Sequence, residues 1–210
     1  SIGHTSNFAG ASASSVTINK PSGVQQNDFL LAHISGRVIA GFALLPPSNG
    51  WTLLSRMNTG SQFGTHIFYK IASASEPSSY TFTDSTGVML YDKLGEISIF
   101  RGADAISPIE AAADSICFPS PSATPSITTV TDSCLIVTLF SDGSGSSWTP
   151  PAGMIEEYDT AAAQSSWVSV ARHYMQMSPA GSTGQKIAPG STSGTTAQII
   201  TLKKTSVPIS

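Results

Sequence analysis

The chain has 210 residues, 40% of them hydrophobic and only 11% charged, with a net charge of −3. An average soluble domain carries roughly 25% charged residues, so Ser, Thr, Gly, Asn and backbone must cover this surface. No basic cluster exceeds Lys203-Lys204 and no apolar run nears the roughly 18 residues of a membrane helix, which excludes nucleic-acid binding through a basic stripe and insertion as a helical span.

Residues 1–14, small and polar around Ile2 and Phe8, read as an arm that orders on a partner. Ser15-Val16-Thr17-Ile18-Asn19 then alternates polar and apolar, as a half-buried strand does. After the turn Pro21-Ser22-Gly23, the continuous apolar run of residues 29–34 reads as a central strand covered on both sides. Pro46-Pro47-Ser48-Asn49-Gly50 is a stiff approach ending in a turn, and it delivers Trp51 to an end of the core. The Tyr-bearing run 65–71, the alternating Tyr80-Thr81-Phe82-Thr83 and the apolar run 96–100 complete a first half.

The second half supplies the same parts. Leu135-Ile136-Val137-Thr138-Leu139-Phe140-Ser141 leads to Pro150-Pro151-Ala152-Gly153-Met154, then to a Tyr-bearing run at 167–174 and an apolar finish at 197–203. Between the halves, the segment 115–126 carries Pro119, Pro121 and Pro125 and reads as an extended strap. Residues 110–114 and 159–164, rich in Ala, could each form a helical turn, too short to be more than a connector. The fold expected is all-β: a single antiparallel β-sandwich over residues 15–204, jelly-roll-like, with pseudo-repeated halves at about 15–112 and 113–204 and a tail at 205–210.

Chemistry is sparse by comparison. Cys117 and Cys134 are too few for a disulfide framework or a zinc site, and a reduced pair is expected. The four histidines stand apart in sequence; only His66 and His173, similarly placed in the two halves, could be brought together by strand spacing, and no motif supplies further metal ligands. The stretch 142–147, Asp-Gly-Ser-Gly-Ser-Ser, lacks the spacing and following helix of a nucleophile elbow and reads as a flexible rim loop. Asp84, Asp92, Glu96, Asp104, Glu110, Glu156, Glu157 and Asp159 are candidates for glycoside cleavage by residue type alone. No catalytic, metal or cofactor site is therefore expected. The one ligand-binding candidate is aromatic: the first reading of Trp148 and Trp167 is that both close the ends of the core, as Trp51 does, and the alternative is that Trp148, Tyr158 and Trp167, exposed together in a groove, stack on a sugar.

Residues 16–18, Pro21-Ser22-Gly23-Val24, Asn27-Asp28-Phe29-Leu30, Pro47-Ser48-Asn49-Gly50-Trp51, Glu76-Pro77-Ser78-Ser79-Tyr80, Phe100-Arg101-Gly102-Ala103-Asp104 and the second turn at 150–154 together resemble a β-sandwich module of tailed-bacteriophage tail and surface proteins, over roughly residues 15 to 202. Asn27 stands where that module commonly has Gly, and Asn also tolerates a left-handed turn. The resemblance implies a non-enzymatic virion structural protein, with capsid decoration (cement) as the first expectation. Such a protein would sit on the exterior of the particle, be made in the host cytoplasm without a signal peptide, contact the major capsid protein or tail proteins, and form a homo-oligomer, by analogy a trimer. The alternative expectations are a receptor- or carbohydrate-binding domain of a tail fibre or tip, contacting a host-surface glycan, and a bacterial adhesin module cut from a longer protein.

Overall fold

The computed structural model describes residues 3–9, 13–37, 43–60, 63–85, 92–118, 121–162, 168–190 and 194–205. The first half contains β1 (Gly3–Ala9), β2 (Ser15–Asn19), β3 (Phe29–Arg37), β4 (Leu44–Leu45), β5 (Thr52–Asn58), β6 (Phe63–Ile71), β7 (Ser79–Asp84) and β8 (Lys93–Phe100). The second contains β9 (Ile109–Cys117), β10 (Ser122–Ala123), β11 (Cys134–Asp142), β12 (Ile155–Ala161), β13 (Ser169–Met177), β14 (Ile187–Ala188) and β15 (Thr195–Leu202). There is no helix among the described residues.

The repeat read from the sequence is a repeat of topology. The first half forms a five-stranded sheet, β1-β8-β3-β6-β5, and a small sheet, β2-β7-β4; the second forms β12-β13-β11-β15-β9 and β10-β14. Setting β9, β10, β11, β12, β13, β14 and β15 against β1, β2, β3, β5, β6, β7 and β8 makes the two orders coincide, with β4 the only strand among the described residues lacking a counterpart. Each half is thus a small antiparallel jelly roll. The expected β-sandwich forms, and it is doubled: four layers stack with the two large sheets face to face in the middle.

Strand alternation assigns each side chain to a layer. Leu30, Ala32 and Ile34 point outward, into a core with Val16, Ile18, Trp51, Phe68 and Phe82 under the small sheet. Phe29 and Leu31 point inward, to Ile67, Phe100, Val137, Leu139, Ile200 and Leu202 between the large sheets. This is why β3 reads as a continuous apolar run: both of its faces are covered. In the second half, Ile136, Met154 and Ile199, and beside them Phe140, Trp148 and Ala197, make the corresponding outer core.

Contacts between the large sheets fix how they lie on each other. His4 of β1 meets Tyr158 of β12, Arg172 of β13 covers Phe100 of β8, Thr65 of β6 bonds Thr196 of β15, and Ser55 of β5 donates to Asp114 of β9. β3 therefore lies over β11, and the halves are related by an approximate two-fold rotation about a line along these central strands. Pairing registers make Ser35 equivalent to Ser141, Tyr69 to Tyr174, Glu96 to Gln198, Ile67 to Arg172 and Ser55 to Tyr158. The two Pro-rich turns are equivalent as well. Gly50 (φ 90°) and Gly153 (φ 78°) both take left-handed conformations, and each aims the following residue, Trp51 or Met154, into its outer core. Asn27 (φ 70°) is also left-handed.

Three local expectations need correction. Residues 3–9 are a strand on the edge of the first large sheet, paired along seven residues with β8, where a partner-ordered arm was expected. Their Ser, Thr, Asn and Gly content gives weak strand propensity, and the neighbouring backbone of fully buried β8 supplies the missing stabilisation. Residues 110–114 lie within β9 and residues 159–161 within β12, where helical turns were expected. Alanine favours helix in isolation, but small side chains suit an edge strand packed closely against β5, and tertiary pairing overrides propensity.

One glycine is required by packing. A Cβ on Gly95 of β8 would sit 2.5 Å from Ile18 Cδ1, so β2 can approach only because the side chain is absent. Gly95→Ala is expected to cost about 1–3 kcal/mol, the usual penalty for overfilling a core, measured by urea denaturation.

Candidate functional site

The densest group of chemistry-bearing side chains lies between the large sheets, toward the end where β3 and β11 finish. Alternation puts it there: the inward residues of β3 run Phe29, Leu31, His33, Ser35, and those of β11 run Leu135, Val137, Leu139, Ser141, apolar first and polar last. His33 Nε2 lies 2.7 Å from Ser141 Oγ, and its Nδ1 lies 3.2 Å from the Tyr158 hydroxyl. Thr65 and Thr196 both donate to Ser141 Oγ, at 3.2 and 3.3 Å, and Ser35 bonds Thr65 at 3.0 Å. Of these polar bonds, His33–Ser141, His33–Tyr158 and Thr65–Ser141 join one half to the other, whereas Ser35–Thr65 and Thr196–Ser141 lie within a half.

Charge is buried beside this cluster. Arg172 is fully enclosed, with its guanidinium 4.7 Å above the Phe100 ring and 5.1 Å from the Tyr158 ring, and it pairs with Glu157. Glu96 is also fully enclosed, and neither carboxylate oxygen has a hydrogen-bond partner of good geometry. Burial pushes the Glu96 carboxyl up to about 7, against smaller opposing pulls from Thr160, Arg172 and Ser6. Burial and the nearby Arg172 charge push His33 down to about 3, so its ring is neutral at physiological pH.

A serine hydroxyl 2.7 Å from an imidazole has the spacing of a nucleophile and its base. Here the geometry serves cohesion. Ser141 is 0% and His33 1% exposed, and the second ring nitrogen meets a phenol where a carboxylate would orient a base. An imidazole titrating near 3 is also a poor proton acceptor at neutral pH.

The structure places two of the three aromatic candidates in the interior, Trp148 closing a core end as its first reading has it and Tyr158 away from the exposed groove of the sugar-stacking alternative. Trp148 is buried against Phe140 and donates from Nε1 to Ser169 Oγ, and Tyr158 is buried under Arg172, so neither presents a ring face to solvent. Trp167 lies outside the described residues. The stretch 142–147, expected as a flexible loop, is held from below: buried Asp142 accepts from Ser144 and Ser169 hydroxyls, both at 2.6 Å, and from the Ser144 amide. Asp159 then accepts from the Trp148 amide and the Ser147 hydroxyl, which turns the tryptophan inward.

Other carboxylates have similar work. Asp104 accepts from the amides of Ile106 and Ser107, and Glu110 from those of Val130 and Thr131, so both fasten turns. His66 faces the outer layer of the first half, beside Phe68, and His173 the outer layer of the second, beside Phe140; the two point away from each other. No group of three or more His, Cys, Asp or Glu suited to a metal occurs among the described residues. Cys117 and Cys134 sit at opposite ends of their sheet, eight residues apart in register and hence about 26 Å along the strands, far beyond disulfide reach.

At the polar end of the stack, a cleft of about 390 Å³ opens between the halves, lined by Arg37, Asn58, Phe63, Phe118 and the glycines 60, 143 and 194. Its residues come from separate strands and turns, which is why sequence reading missed it; the only linear hint is Phe118, an aromatic just before the proline-rich strap.

Comparison with protein-family models, curated proteins and solved structures gives no match to this chain.

Proposed function

We propose that this chain is a non-enzymatic structural protein of a virion that decorates a tailed-phage capsid. The observation that carries the reading is where its reactive side chains lie. Ser141, His33, Tyr158, Arg172 and Glu96 are all sealed between the two large sheets, where they join the halves into a stiff four-layer slab. The low charge fraction supports close packing on a protein lattice, because little long-range repulsion opposes it. Exposed apolar tips on fastened turns, Ile106 and Val130, suit contact with a neighbouring subunit. The resemblance of the Pro-rich turns and flanking strands to phage tail and surface modules supplies the virion context. Homo-oligomeric assembly belongs to the same proposal.

The test is co-sedimentation with empty phage capsids followed by cryo-EM. Ordered density for this protein on the outer shell is the expected result. Density confined to the tail would overturn decoration, and polysaccharide hydrolysis at enzymatic rates by the purified protein would overturn the non-enzymatic reading.

A further inference from the structure

The two large sheets end in four edge strands, β1 and β5 in the first and β12 and β9 in the second, and three of these edges are guarded. β5 carries Arg56 and a bulge between Leu53 and Ser55. β12 carries Glu156, Glu157 and Asp159 and a bulge between Glu156 and Tyr158. β9 carries Glu110 and Asp114, and its register with β15 shifts between Thr201 and Leu202. Charges and bulges of this kind keep an open edge from recruiting another strand. β1 has neither. Gly-His-Thr-Ser-Asn-Phe-Ala contains no carboxylate, lysine, arginine or proline, and its pairing with β8 runs unbroken from Gly3 opposite Ile99 to Ala9 opposite Lys93. Among the described residues, no strand pairs with its other edge.

An unguarded edge presents a row of backbone N–H and C=O groups that a docking strand can pair. We propose that β1 is a self-pairing surface: β1 of a second copy of this chain adds antiparallel to it, and the two five-stranded sheets continue into one of ten. The strand that fits this edge is its own. A two-fold axis through Ser6 sets Ser6 against Ser6, Thr5 against Asn7 and Gly3 against Ala9, so no formal charge meets its like and each Thr–Asn pair can share a hydrogen bond. The pairing also closes, because an isologous contact uses both open edges at once and leaves none to grow a fibre. Neighbouring layers widen the contact. Asn7 Nδ2 donates to the Thr17 carbonyl of β2 on one side of β1, and His4 packs on Tyr158 of β12 on the other, so the flank is three layers deep. At the usual sheet spacing that depth is about 20 Å. The inference deepens the homo-oligomeric part of the proposed function and rests on that part alone.

The experiment measures the mass of the purified full chain in solution, by light scattering after gel filtration over a dilution series. A concentration-dependent dimer is expected. Thr5→Lys combined with Asn7→Lys sets like charges opposite each other at two places in the pairing, and Thr5→Glu combined with Asn7→Glu does so with the other sign. Each double variant alone is expected to dimerise at least about tenfold more weakly than the parent. Mixed in equal amounts, the two should form a heterodimer at least as strong as the parent dimer, a recovery that damage to the fold would not give. A parent that stays monomeric at millimolar concentration, leaving the edge to a strand of a different protein, would overturn the proposal. An oligomer that neither double variant weakens would place the contact on another surface, and variants that fail to pair on mixing would overturn the β1–β1 register. Capsid binding by a monomeric parent would refute this pairing and leave decoration standing.

Discussion

Acidification from pH 7 to pH 5 is expected to remove on the order of 4 kcal/mol of stability, read from urea denaturation at the two pH values. Three buried histidines drive the loss. Burial, with help from Arg172, holds His33 down at about 3 and His173 at about 4; burial, with help from Arg56, holds His66 at about 3. A depressed folded-state pKa means that the unfolded chain takes up the proton first. The stability each neutral imidazole contributes is therefore whole above about pH 6.5 and is lost as pH falls toward the folded value, about 2 kcal/mol apiece by pH 5. Glu96 works in the opposite sense. Its raised pKa favours the fold at low pH and ceases to do so as pH rises through about 7, so acidification over this interval returns about 2 kcal/mol. His173 isolates the effect, because neither ring nitrogen has a hydrogen-bond partner and the ring packs on Phe140. His173→Phe should flatten the pH dependence by about 2 kcal/mol. A fold equally stable at pH 5 and 7 would contradict burial of the three rings.

Arg172→Met is expected to cost about 3–5 kcal/mol at pH 7.5, the usual range for removing one partner of an enclosed ion pair. The guanidinium is wholly buried, pairs with Glu157, and covers the Phe100 and Tyr158 rings. Methionine keeps much of the volume, so the loss falls mainly on charge: Glu157 is stranded, and Glu96 loses the Arg172 charge that favours its ionised form. Adding Glu96→Gln and Glu157→Gln to the same chain should recover much of that loss, since no buried carboxylate then remains uncompensated. Glutamine is also what the chain carries at Gln198, the equivalent of Glu96. Urea midpoints of the single and triple variants check both statements. A triple variant no more stable than Arg172→Met would show that the side chain acts through packing alone.

The elements legible in the sequence were those whose local pattern and final environment agree. Gly50 and Gly153 close Pro-rich turns and are left-handed in the structure, and the run 29–34 is covered on both faces. β1 was illegible because its seven residues have weak propensity and are held by backbone pairing to a strand some ninety positions later. Trp148 closes a core end as its residue type suggests, yet the loop that carries it reads differently from what it is. A Gly/Ser-rich loop looks mobile in sequence, but Asp142 and Asp159 fasten this one through amides and hydroxyls of its own residues. The His33–Ser141 contact spans 108 positions, and no local pattern encodes it. The sequence therefore reports strands and turns well, and reports badly which of them meet.

Carrying both halves on one chain has a consequence for what substitution can do. In a true two-subunit assembly every codon change enters twice, so a residue that plugs one flank must plug the other. Here the Tyr158 and Ser55 positions are encoded separately, as are those of Arg172 and Ile67. One flank is thereby free to close around an arginine while its mirror position carries a shorter isoleucine beside a cavity of about 60 Å³, so the molecule can hold a charged interior on one side and an apolar one on the other within a single architectural plan.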